Sequence, residues 1–289
     1  MAALNAPTRR RGRLSVNPSI ARYLEAFVTT RGLLALFGIV AITAVAFLAP
    51  VMFPDGYDVQ SRLSLRPPSL GHLFGTDELG RDLFVRSIYG LRSDLTLVYC
   101  AVPVSMVLGT FIGLLGAVSA RLGSFLQRCL DIIVGFPGLI LGICVVLVLG
   151  AGWPALLVAI VISGLPSFGR QARATLLAQQ QREYVLAART LGVGRWRIML
   201  RHILPNAVDP IIVQGAVFVV SAIFLEAALS IVGLGLQPPD PSLGTLLNTG
   251  MRYIGRAPTY VLGPTVILIL VALAFSMLAD ALNATVNRK

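Results

Sequence analysis

Asp131, Glu226 and Asp280 each interrupt or border a long apolar run, and acids so placed are the residues of this chain best suited to moving a proton. A relay needs an acid well inside such a run. These three fall near the run ends, within reach of an interface or a polar partner, so a structural role is expected for each. The rest of the chemical inventory is thin. The single lysine is Lys289, so the GxxxxGK[ST] loop that cradles nucleotide phosphates is absent, and Schiff-base chemistry is absent with it. His72 and His202 lie far apart without an HExxH pattern. Cys100, Cys129 and Cys144 lack CxxC spacing and are expected to be small buried hydrophobes. No catalytic residue, metal site or cofactor is predicted in this chain.

A different signal comes from EYVLAARTLGVGRWRIMLRHILPNA, residues 183–207, in a stretch where seven arginines fall between Arg170 and Arg201. Two short amphipathic faces are legible: Tyr184, Ala187 and Leu191, then Val193, Trp196, Leu200 and Ile203. Gly192 and Gly194 separate them, and Pro205 is expected to end the second helix. A loop that merely touches anionic lipid needs the arginines but not this helix, break, helix pattern. Two short helices with apolar faces need a partner groove.

The elements that position these residues are long and apolar. With a mean hydropathy of +0.80, 56% hydrophobic and 13% charged residues, the chain belongs in a bilayer. The net charge of +11 does not point to nucleic acid, because the basic residues sit between apolar runs rather than on one patch. Runs long enough to cross about 30 Å of hydrocarbon cover 32–53, 95–120, 132–149, 153–168, 208–232 and 257–279. The expectation is an all-α integral membrane protein with six transmembrane helices. A cytoplasmic N-terminus places seventeen basic residues inside and seven outside, which decides the orientation. The predicted organisation is a cytoplasmic arginine-rich tail (1–31), a first span (32–53), an outer loop (54–94), a core (95–284) containing a cytoplasmic loop (169–206), and a cytoplasmic tail (285–289). Ala44-Val45-Ala46 mimics a signal-peptidase site, but the apolar run continues through Met52, so an uncleaved span is expected. Gly109/Gly113 and Gly138/Gly142 suit close internal helix packing, and Pro103, Pro137 and Pro166 suit kinks. In the outer loop, Leu79, Leu83 and Ile88 are spaced as one side of a helix lying along the membrane surface.

Leu186, Ala187, Ala188, Gly192, Leu204 and Pro205 resemble the cytoplasmic EAA loop of ABC importer permeases, with Leu186 in place of the usual Glu and His202 in place of Ile. HILPNA (202–207), GLGLQPP (233–239) and FGTDELGRD (74–82) further resemble the C-type permeases of dipeptide, oligopeptide and nickel importers. The resemblance runs from about residue 31 to the end. It implies the type I ABC importer permease fold and half of a pathway for di- or oligopeptides, with nickel or another solute as the alternative. It also implies a homologous B-type permease, two ABC ATPase subunits carrying ATP and Mg, an extracytoplasmic binding protein, and the bacterial inner membrane. By the same resemblance, Glu183, Tyr184, Ala187, Ala188, Gly192, Arg195, Trp196, Leu204 and Pro205 contact the ATPase. Asp77, Glu78, Arg81, Asp82, Gln237, Pro238 and Pro239 receive the binding protein, and Leu243 stands where the family has an aromatic. An ion-coupled secondary transporter would show an inverted repeat with broken helices, and a membrane enzyme a catalytic cluster at one face. Neither is found in the sequence.

Overall fold

The computed structural model describes residues 29–116 and 119–286, together with Phe27. The arginine-rich tail expected over 1–31 lies almost wholly outside the described residues, as do Arg288 and Lys289. Among the described residues the chain is helical, with only two isolated β-bridges, Ser69 with His72 and Thr76 with Asp82. Helix α1 (Thr30–Phe47) starts where the Thr29 hydroxyl accepts from the Gly32 amide at 3.1 Å, and Pro50 sits in the first turn of the short α2 (Ala49–Met52). There follow α3 (Leu83–Gly116), α4 (Ala120–Gly135), α5 (Gly138–Leu149) and α6 (Trp153–Gln180). Next come α7 (Glu183–Thr190), α8 (Arg195–Ile198), a π-helical turn (Met199–Ile203), α9 (Leu204–Ile231), α10 (Leu243–Met251) and α11 (Thr259–Val286).

Five of these helices are long and apolar enough to cross a membrane, and α4 with α5 makes a sixth candidate, broken by a 94° bend. The third expected span, 132–149, is therefore not one straight helix. Pro137, which lacks an amide hydrogen and restricts Phe136 to extended backbone, sits at the break. With the broken α4–α5 pair counted as one crossing, successive crossings alternate in direction and α3 and α6 run parallel, so α7 and α8 lie at one end of the bundle, the arginine-rich end. Residues 54–82 and α10 lie at the opposite end.

Three boundaries differ from expectation. Helix α3 begins at Leu83 rather than near 95, so Leu83 and Ile88 belong to a long helix and no separate surface helix forms. Cutting at the last charge misplaced the boundary because the helix carries its charges inward: Arg86 is buried with Asp77 and Asp58 at 3.5 and 3.6 Å. Helix α6 runs on past residue 168 to Gln180. Pro205 opens α9 rather than ending a helix. The wide π turn before it, in which the Leu204 amide bonds the Met199 carbonyl, lets the backbone stay helical into a proline that would clash in a regular α-turn.

The core forms where α3 crosses α6, with α9 and α11 closing around them. Gly109 and Gly113 make that crossing possible. A methyl at Gly113 would fall 2.5 Å from the Gly169 carbonyl oxygen and 2.9 Å from the Ala172 Cβ, and one at Gly109 would fall 2.7 Å from the Phe168 Cβ. In the second pair, Gly142 faces Leu229 of α9, whereas Gly138 faces open space. Cys100, Cys129 and Cys144 are exposed on the outer surface of the chain, not buried. The apolar runs that suggested burial face outward in a membrane protein, where lipid replaces the protein interior as the apolar environment.

Candidate functional site

At the arginine-rich end, α7 is held from beneath and bare on top. Val185 and Ala188 pack into a small core with Leu176, Leu114, Ile198, Met199 and Ile203. The face read from the sequence, Tyr184, Ala187 and Leu191, points the other way: all three are exposed, Leu191 at 83%, as are Glu183 and Leu186. Sequence periodicity found this apolar face but not the second one beneath it, because a short helix clamped between a core and a partner is apolar on both sides. Glu183 lies in the first turn and Arg189 in the last, each favourably placed in the helix dipole. The Tyr184 hydroxyl donates to Gln179 Oε1 at 2.9 Å, tying α7 back to α6.

Gly192 ends α7 with φ of +76°, in a closed C-terminal motif. The Val193 amide bonds the Ala188 carbonyl at 3.1 Å and the Gly192 amide bonds the Arg189 carbonyl at 3.0 Å. Val193 packs back on the same small core as Ala188. Pro205 is exposed and Leu204 half-buried at the start of α9, while the side chains of Arg195, Trp196 and His202 lie outside the described residues.

At the opposite end, residues 54–82 fold back on themselves around Arg81. Its Nε meets Asp77 Oδ2 at 2.6 Å, its Nη1 meets Asp58 Oδ1 at 2.8 Å, and its Nη2 meets Glu78 Oε1 at 3.4 Å. Burial works against the Arg81 charge, yet the carboxylates of Asp58 and Asp77 outweigh it and hold the guanidinium above the ordinary arginine value. Asp77 is fully buried, Glu78 accepts from the Tyr260 hydroxyl at 2.9 Å, and Asp82 pairs with His72 at 2.7 Å. The four polar residues read from this segment thus turn inward and fix the loop's shape. Outward the loop shows Val59, Leu63, Leu70, Leu73 and Leu79 among exposed polar residues such as Asp55, Arg62 and Arg66.

Gln237, Pro238 and Pro239 are exposed, whereas Leu243 is buried in the core and offers no surface. The two outer segments meet directly. The Tyr57 hydroxyl donates to Asp240 Oδ1 at 2.7 Å, and burial together with that hydrogen bond pushes the phenol up to about 12. Tyr57, Asp58, Asp240 and Tyr260 carry no signal in a single sequence, because each matters only through a partner distant in the chain.

The three acids weighed from the sequence separate cleanly. Asp131 and Asp280 are exposed, and Asp131 accepts from Gln127 at 3.2 Å. Glu226 is fully buried and accepts from the Ser230 hydroxyl at 2.6 Å. Asp94, which the expected boundary assigned to the outer loop, is instead buried inside α3.

A bundle of membrane-crossing helices, with a small helix bearing an exposed apolar face at one end and a braced pair of loops at the other, is an architecture suited to a membrane permease. The family described as "Binding-protein-dependent transport system inner membrane component" matches residues 106–289. The chain belongs to that family. It is 35% identical to the dipeptide transport system permease protein DppC of Alkalihalophilus pseudofirmus, across 94% of this chain and 91% of that one. It is 37% identical to the di/tripeptide transport system permease protein DppC of Pseudomonas aeruginosa (95% and 94%). To the glutathione transport system permease protein GsiD of Pectobacterium atrosepticum it is 35% identical (87% and 84%). Among solved structures, a chain of the inward-facing MetNI methionine ABC transporter matches with a TM-score of 0.58 at 21% identity, covering 71% of this chain and 97% of that one. The fold is that of a type I ABC importer permease, and the chain is a C-type permease of the peptide importer family.

Proposed function

We propose that this chain is the non-catalytic C-type half of a di- or oligopeptide importer, paired with a B-type permease and driven by two ATPase subunits that bind ATP and Mg. An extracytoplasmic binding protein delivers the peptide to the loops around Leu70 and Gln237–Pro239, and the N-terminus lies in the cytoplasm. The observation that carries this reading is the exposed apolar face of α7, Tyr184, Leu186, Ala187 and Leu191, on a helix whose other face is anchored in the bundle. A groove on an ATPase would cover that face. ATP-driven closure of the ATPases then displaces α7, and the anchored face transmits the movement to α6 and α9. Peptide is preferred over nickel as the cargo because the relatives above are named for dipeptides, di/tripeptides and glutathione.

The test is purification of the tagged chain from its own membranes, with its partners identified by mass spectrometry. A second permease, ATPases and a binding protein are expected in fixed proportion. Leu191→Asp charges a side chain that is 83% exposed and outside the small core beneath α7, and should remove the ATPases while the chain still inserts. Gly192→Val imposes a left-handed backbone on a β-branched residue and should uncouple ATP hydrolysis from uptake. A chain that purifies alone and moves solute in liposomes without ATP would overturn the reading in favour of a secondary transporter.

A further inference from the structure

The buried acids Asp94 and Glu226 take no part in the function just described, and their surroundings are unusual for two carboxylates. Asp94 is 2% and Glu226 0% exposed, on α3 and α9. Each has one oxygen satisfied. Asp94 Oδ2 accepts from the Leu243 amide at 3.1 Å, and Glu226 Oε1 accepts from the Ser230 hydroxyl at 2.6 Å. Ser230 in turn accepts from the Ser242 hydroxyl at 3.3 Å, so Ser242 and Leu243, at the start of α10, connect the two acids. Each acid also has one buried oxygen with no partner, Asp94 Oδ1 and Glu226 Oε2. The elements approach closely here: a methyl at Gly90 of α3 would fall 3.0 Å from the Ser242 carbonyl carbon, and one at Gly244 of α10 would fall 2.5 Å from the Ser230 Cβ.

No salt bridge reaches either acid among the described residues. Helices α10 and α5 carry no acidic or basic side chain, and α6 has none before Arg170. Arg86 is turned to Asp77 and Asp58, Tyr260 donates to Glu78, and Asp240 accepts from Tyr57. Arg92 is half-buried and lies about 200° around α3 from Asp94, while Asp209 and Asp280 lie toward the arginine-rich end of α9 and α11. Two ionised carboxylates can only accept hydrogen bonds, and two like charges buried together without a cation repel.

We propose that Asp94 and Glu226 form a proton-binding site, holding one proton between them, and that this proton closes a clasp joining α3, α9 and α10 at the outer end of the bundle. One carboxyl is then a donor and the other an acceptor, the pair carries a single negative charge, and α10's first turn is a favourable place for that charge. The proton comes from water on folding and returns to it on unfolding.

The experiment uses the assembled complex. At neutral pH its infrared spectrum should contain the carbonyl band of a protonated carboxylic acid, shifted in heavy water, and the Asp94→Asn/Glu226→Gln double variant, which needs no proton, should lack it. The sign of the linkage follows from the bound proton. Unfolded carboxylates are ionised above about pH 4, so folding takes up one proton and the folded fraction of the wild type falls as pH rises, about tenfold in equilibrium constant per unit until the pair releases its proton. The double variant should lack this slope. Absence of the band from the wild type overturns the proposal without recourse to any variant. A band or slope that persists unchanged in the double variant overturns it as well.

Discussion

Tyr57 shows how a single hydroxyl links the two outer segments. Its hydrogen bond to Asp240 is the polar link between the loop over 54–82 and the turn that presents Gln237, Pro238 and Pro239. The phenol is pushed from 10.0 to about 12, so the folded state favours its protonated form. The contribution is complete below about pH 10 and is lost as pH rises toward about 12. Tyr57→Phe should therefore remove an alkaline loss of thermal stability confined to that interval. A melting series at rising pH, comparing the two proteins, checks this, and parallel curves would refute it. At neutral pH the substitution should weaken binding-protein docking while leaving insertion intact.

Between helices, the packing of α3 on α6 gives the clearest contrast. Gly113→Ala drives a methyl to 2.5 Å from a backbone carbonyl oxygen, and overpacking of this kind typically costs about 1–3 kcal/mol. Gly138→Ala meets nothing within 4 Å in this chain. The first should lower the melting temperature of the purified subunit and the second should not, so any transport defect in Gly138→Ala would report on a partner rather than on this chain. Both glycine pairs look alike in sequence, which is why spacing alone could not tell them apart. The spans at α1, α9 and α11 were legible because hydropathy is a property of the chain itself. The start of α3, the elbow between α4 and α5, and the continuity through Pro205 were not. Each depends on something outside the local pattern: a buried ion pair for Arg86, a proline that turns the chain instead of kinking it, and a π turn that makes room for a ring. The apolar face of α7 was readable at Tyr184 and Leu191, and the inward turn of Asp77 and Arg81 was not, since a charge in an outer loop looks the same whether it faces water or another charge.

For the molecule as a whole, the proposed cytoplasmic placement of the N-terminus draws on the seven arginines gathered at one end. A fluorescent reporter fused after Lys289 should mature in the cytoplasm, and a periplasmic phosphatase fused there should stay inactive; the reverse pattern would invert the subunit. The elbow between α4 and α5 then acquires a meaning that its geometry alone does not announce. The twelve residues of α5 rise only about 18 Å, well short of about 30 Å of hydrocarbon, so the break lies within the thickness of the bilayer. Residues 135–140 are exposed there, and the first turn of α5 has amide hydrogens with no carbonyl to bond. Lipid tails offer those amides nothing, so this side of the subunit must be met by water or by another protein chain inside the membrane.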